Sequence, residues 1–239
     1  MNVLSIDLAS SSYSKFGIAF LETGSRTPTF PTPKDLNLTG DPDPKRCAEA
    51  LASFCNATNT TVLLLDGSQA WRLPGSSIEH MRLAERVLNT PGKTGDHGQV
   101  KPKTYLRFIT FSIDLFNHLH KTFGWELLTE VWHRRRRATY VVEVFPSSAW
   151  ELLGLPRLPG KSKTKRADLD KWAKMLAQVT GYELPKGLKH DQLQAAVVLP
   201  AGEAIATRNK DGIILCGLDP IVTPDGIVRE GWIVNPRLA

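Results

Sequence analysis

The chain has 239 residues, 41% of them hydrophobic and 23% charged, which is enough to bury the core of one α/β domain with insertions. A formal net charge of +6 and a pI of about 9.3 favour an anionic partner, although solubility alone would account for a charge of that size. Three cysteines without a CxxC pair exclude a zinc ribbon and predict reduced thiols in a cytoplasmic protein, and the apolar runs fall short of the roughly 18 residues that would cross a membrane.

Val3 to Asp7 reads as a short buried strand, Ser10 to Lys15 as a polar turn and Phe16 to Glu22 as a second strand; Asp7 so near the start predicts no signal peptide. After a Pro-rich connection (27–33), Lys34 to Leu38 is expected as a third strand of an antiparallel meander. Pro44 to Phe54 reads as a helix, with Pro44 in its first turn and Ala48, Leu51 and Phe54 on one face. Val62 to Asp66 is the continuous apolar run of a strand covered on both faces. Ile78 to Leu88 is expected to be helical, and Thr90 to Lys103 a Gly-rich loop able to close over a substrate. Tyr105 to Phe123 carries the broad apolar stripe of a buried helix. Thr139 to Phe145 is a strand stopped by Pro146, Lys165 to Thr180 an amphipathic helix capped by Gly181, and Lys189 to Ala206 a helix kinked at Pro200. Ile213 to Leu215 and Trp232 to Val234 read as short strands. No linker divides the chain, so one domain spans 1–239, with a helical insertion at about 78–138 and a C-terminal extension at about 208–239.

Four acids stand beside these apolar stretches: Asp7, Asp66, Glu143 and Asp191. A carboxylate in such a place loses hydration and needs a proton, a donor or a cation. Four of them converging at one sheet edge would repel one another unless divalent metal lay between them. That pattern points to metal-dependent cleavage of a phosphodiester, with Mg2+ or Mn2+ favoured over zinc because the ligands are hard oxygens. Each acid also has a structural reading: Asp7 capping the Ser10–Ser12 turn, Asp66 opening an Asp-Gly turn, Glu143 on an edge strand, and Asp191 capping its helix.

The element order is that of the ribonuclease H fold, a mixed α/β sheet whose first three strands are antiparallel and whose later strands are parallel, with acids on the first strand, on the strand after the first helix and on the last helix. Val3–Ser10, Phe16–Leu21, Val142–Ser147, His190–Ala196 and Glu230–Pro236 together resemble the domain-of-unknown-function 429 family, over nearly the whole chain. The resemblance implies a ribonuclease-H-like nuclease. In it Asp7 would bridge two ions, with Asp66, Glu143 and Asp191 completing the two-ion site. After Asp66 the family often continues Ala-Pro, whereas this chain reads Gly67-Ser68-Gln69-Ala70-Trp71.

Two basic runs flank the Glu143 strand: His133 with Arg134, Arg135, Arg136 and Arg137, and Lys161, Lys163, Lys165 and Arg166. Converging on one region, they would bind the phosphates of RNA or DNA; the bland alternative is a solvated charged face. Trp125, Trp132 and Trp150 read as core rather than as base-stacking platforms. His190 and Ser10 are candidate auxiliaries, His190 for a proton or for product release. A junction-cutting enzyme of this type would be a homodimer.

Two other classes remain open. Ser10–Lys15 could cradle the phosphates of a nucleotide in a phosphohydrolase or kinase-like protein of actin/Hsp70-related topology. The fold could also serve a non-catalytic nucleic-acid-binding protein.

Overall fold

The computed structural model describes residues 1–135 and 138–237; Arg136 and Arg137 of the first basic run lie outside them. The strands are β1 (Asn2–Asp7), β2 (Gly17–Glu22), β3 (Thr60–Asp66), the short pair β4 (Lys93–Thr94) and β5 (Val100–Lys101), β6 (Glu126–Leu127), β7 (Tyr140–Val144), β8 (Ile213–Val222) and β9 (Val228–Pro236). The helices are α1 (Pro44–Ala57), α2 (Leu83–Leu88), α3 (Leu106–Phe123), α4 (Pro146–Leu152), α5 (Arg166–Thr180), α6 (His190–Val197) and α7 (Leu199–Ala206).

One mixed sheet runs in the order β2-β1-β3-β7-β9-β8, with β6 also beside β7. β2 is antiparallel to β1, while β1, β3, β7 and β9 are parallel neighbours. This is the ribonuclease-H-like mixed sheet expected from the element order, short of its third antiparallel strand.

Strand alternation sorts the side chains onto two faces. Val3, Val62, Leu64, Val142 and Val144 pack with α4, α5, α6 and α7 in one core. Leu4, Ile6, Leu63, Leu65 and Val141 pack with α1 and α3 in the other. Trp125, Trp132 and Trp150 are all buried in these cores, as the sequence suggested.

Several elements differ from expectation. Lys34–Leu38 is not a strand: Pro33–Leu36 forms a single 3-10 turn, opened by a proline and ended by Asn37 in the left-handed region (φ 58°). An isolated bridge from Phe20 to Thr29 is what pairs beyond β2. The helix expected over Ile78–Leu88 shrinks to Leu83–Leu88, because Arg82 in extended conformation starts it. The loop at 90–103 contains the β4–β5 hairpin. Lys189–Ala206 is two helices meeting at Val198, with Pro200 in the first turn of the second. The tail forms a long antiparallel hairpin that continues the sheet next to β7. No helix among the described residues is long and apolar enough to cross a membrane.

Candidate active site at the carboxyl ends of the strands

β1 and β3 run side by side in register, and their last residues, Asp7 and Asp66, are direct neighbours. Both continue the alternation of Val3 and of Val62 and Leu64, so both face α6. Asp191, in the first turn of α6, joins them because Gly17 pairs with Asp7 in the sheet and has no side chain. A Cβ at Gly17 would lie 1.9 Å from the Asp191 carbonyl oxygen and 2.8 Å from its Cβ, so only glycine lets the helix rest on the strand at that point. Gly17→Ala is therefore expected to lift α6 and destabilise the chain by ~3 kcal/mol, the upper part of the overpacking range, because the clash is with backbone. Circular dichroism melting checks this; a melting point within about 1 °C of the parent would refute the contact.

The three carboxyls feel one another. Burial, then repulsion from Asp66 and Asp191, holds the Asp7 carboxyl well above the usual carboxylate range, and Lys161 offsets part of that. Asp66 is raised as well, first by burial and then by Glu143; its hydrogen bond with Asp7 opposes the rise. One proton shared between Asp7 and Asp66 satisfies both. Asp191 behaves oppositely. Burial disfavours its charge, but contacts from His190 and Lys161 outweigh burial and hold it below the usual range. The Lys161 ammonium bonds Asp191 Oδ2 directly, and His190 Nδ1 lies 3.4 Å from Oδ1. His190 Nε2 stands 3.0 Å from the Pro159 carbonyl, which can only accept, so this nitrogen carries a proton and ties down the loop that presents Lys161.

Glu143 departs from the expected four-carboxylate cup. It pairs with Leu65, one residue before Asp66, and so takes the Leu63–Leu65 side of the sheet, away from the face of the aspartates. There it is 3% exposed and meets Arg82, which is 0% exposed. Arg82 donates to both of its oxygens, Nη2 to Oε1 at 2.7 Å and Nη1 to Oε2 at 2.8 Å, and the Gln69 N–H adds a third bond at 2.9 Å. Arg82 also reaches Glu85 through Nε at 3.1 Å. Burial raises the Glu143 carboxyl, and Arg82 and the Gln69 amide counter it. Glu143 thus closes a buried ion network instead of facing a metal with the aspartates. Sequence reading missed Arg82; its only signal is an arginine standing alone just before an apolar segment.

The basic runs separate. Arg134 and Arg135 are exposed, Arg135 bonds Glu126, and Arg135 lies near Met1, Thr61 and Tyr140 at the opposite ends of the strands. A rise of ~3.3 Å per residue puts that end about 15–20 Å from the aspartates. The expected convergence of the two runs on one region is corrected accordingly. Lys161 belongs to the site, and exposed Lys163, Lys165 and Arg166 continue from it along the rim. Ser10 lies partly exposed in the turn after β1. In the following loop Ser12 accepts from the Ser14 amide and Lys15 donates to Ser11, so these groups satisfy one another and do not form an open phosphate cradle.

The donor set is carboxylate oxygen throughout, which suits Mg2+ or Mn2+. Yet among the described residues no group of three or more His, Cys, Asp and Glu is arranged to hold a metal ion. Glu143 is saturated by Arg82 and Asp191 is engaged by Lys161, so the two-ion, four-carboxylate site does not fit. Asp7 and Asp66 are left as an adjacent pair of carboxyls bonded to each other, with Asp191 held by Lys161 beside them.

No family model matches the chain, and no curated protein matches it. Among solved structures, the Thermus thermophilus RuvC structure matches with a TM-score of 0.42 at 10% identity, over 87% of this chain and 96% of that one. T. thermophilus RuvC in complex with Holliday junction substrate matches at 0.41 and 9% identity, over 88% and 96%.

Proposed function

We propose that the chain is a divalent-metal-dependent nuclease, of the kind the resemblance to domain of unknown function 429 implies, working with one ion at Asp7, Asp66 and Asp191. The observation that carries this reading is the pairing of Asp7 with Asp66, both buried, at the carboxyl ends of adjacent parallel strands, where open α/β sheets hold ligands. Mg2+ or Mn2+ bound there would activate a water and offset the charge on the scissile phosphate. To hold such an ion the pair would have to give up its shared proton, so affinity would rise with pH. Lys161 moves from Asp191 to a phosphate oxygen, and Lys163, Lys165 and Arg166 hold the neighbouring backbone. His190 acts as a positioning residue by anchoring the Pro159–Lys161 loop.

The direct test is incubation of the chain with labelled single-stranded, duplex and junction polynucleotides in Mn2+. Cutting is expected, with loss under chelation and in Asp7→Asn and Asp66→Asn. Cutting that survives both substitutions, or none on any substrate, would sink the reading. Lys161→Ala should slow cutting and reduce the slope of log affinity against log salt by ~1, as loss of one phosphate contact does. An unchanged slope would make Lys161 only a partner of Asp191.

A second reading, binding without cleavage, has one observation in its favour: Lys161 and Arg82 already neutralise two of the four acids. It predicts polynucleotide binding indifferent to Mn2+.

A further inference from the structure

A cleft of about 520 Å³ opens beside Asp66, on the side of the sheet where α3 begins. Its volume falls in the range of small-molecule sites, roughly 300–1,000 Å³. Tyr105, Phe108 and Phe145, all half-buried, line it, and Thr90 and Ser147 bring hydroxyls to the lining. Gly92 backs the Tyr105 ring closely enough that a Cβ there would sit 3.2 Å from it. No lysine or arginine is among the residues lining the cleft, while Asp66, Glu85 and Glu143 are. Glu85 and Glu143 are already paired with Arg82 behind the wall, so the cleft offers a phosphate no free counter-charge. A flat, uncharged group with polar edges suits it: the rings offer stacking faces, the Ser147 hydroxyl a donor or acceptor, and the Thr90 oxygen, whose hydrogen goes to the Gly92 carbonyl, an acceptor.

The cleft and the aspartate pair share Asp66, and the cations of the site, Lys161 to Arg166, follow Asp191 on the other side. We propose that the cleft takes one nucleobase of the strand being cut, next to the scissile phosphate held at Asp7 and Asp66. This inference rests on the nuclease reading and narrows it. A base stacked inside a duplex cannot enter a cavity, so the substrate has at least one unpaired or extruded nucleotide at the cut: a single strand, a bulge or a junction. Intact duplex is a poor substrate.

The test is equilibrium binding of the full chain, without metal, to short single-stranded oligonucleotides. One carries 2-aminopurine at a single position moved along the strand, and a matched series replaces that base by an abasic site. One position is expected to show strong quenching of 2-aminopurine, and the abasic gap at that position to weaken binding about 5–150-fold, the range that loss of one stacked base produces. Ser147→Trp, which fills the cleft, should weaken the intact oligonucleotide to the level of the abasic one. Equal affinity for intact and abasic strands at every position would overturn the inference, and because that comparison changes the ligand alone, no variant has to fold for it. Cutting in Mn2+ that ignores the gap also overturns it, while leaving the nuclease reading in place. Position-specific base binding without any cutting would uphold the cleft and remove the nuclease.

Discussion

Asp7→Asn is expected to make the chain more stable at neutral pH and blind to divalent metal. The carboxyls of Asp7 and Asp66 are both raised, with burial as the largest cause of each; behind it stand Asp66 and Asp191 for Asp7, and Glu143 for Asp66, whose hydrogen bond with Asp7 opposes the rise. A carboxyl whose folded pKa lies above its unfolded value binds its proton more tightly in the folded chain. Its contribution is then full at low pH and is lost as pH climbs from the unfolded value, about 4, through the folded one. The parent protein should accordingly lose stability from the pair between about pH 4 and neutrality. Each unit of elevation costs ~1.4 kcal/mol once the group is ionised. For a chain of this size 1 kcal/mol moves Tm by about 2–4 °C. Asp7→Asn removes the charge that burial disfavours at that position while its amide can still donate to Asp66, so its Tm at pH 7.5 should exceed the parent's by ~3 °C or more, with the two curves meeting near pH 4. Mn2+ at a hundredfold excess over Kd should stabilise the parent by ~2.7 kcal/mol, a rise in Tm of about 5–11 °C, and leave the variant's Tm unmoved. Scanning fluorimetry over pH, with and without Mn2+, reads both effects. A variant less stable than the parent at pH 7.5 would mean that Asp7 is an ordinary structural carboxylate.

Arg82→Met should produce the largest loss of stability of any single change considered. The substitution leaves Glu143 and Glu85 buried with no cation, and removing one partner of a buried pair costs ~3–5 kcal/mol. At about 2–4 °C per kcal/mol that is a fall in Tm of roughly 6–20 °C. Without Arg82 the Glu143 carboxyl, already raised by burial, rises further, so the penalty grows with pH and is smaller at pH 5 than at pH 8. Arg82→Met combined with Glu143→Leu should recover much of the loss, since no full charge then stays buried at β7. The Mn2+-induced rise in Tm should persist in the double variant, because Glu143 stands outside the aspartate set. Its disappearance would return Glu143 to the ligands. Chemical and thermal denaturation of the two single variants and the double one, with and without Mn2+, closes the cycle.

Much of the fold could be read directly. The apolar runs ending in Asp7 and Asp66 are strands that close on those residues, the long stripe through Leu106, Ile109, Ile113 and Phe116 is α3, and Gly181 ends α5 in the left-handed region as expected. Local pattern was enough there because period and capping are properties of neighbouring residues. It failed where distant contacts decide. Ile213–Val222 and Val228–Pro236 are longer than their apolar patches because pairing with each other and with β7 carries them past their polar positions. Glu230, the first residue of the Glu230–Pro236 motif, accepts from the amides of Leu73 and Leu83 and so staples the loop after Asp66 to β9. Nothing nearby in sequence announces that bond.

The amino-acid order by itself determined that acids would stand at strand ends and at a helix start, since each lies within or beside its own apolar run. Which of them share a space was decided by register between strands and by one missing side chain. Asp66 is paired with Val144 and Leu65 with Glu143, and because successive residues of a strand point to opposite faces, that single step sends Glu143 to Arg82 and keeps Asp66 with Asp7. Gly17 then admits Asp191. Register and close approach belong to pairs of distant segments, which is why only the folded chain could choose among the four acids.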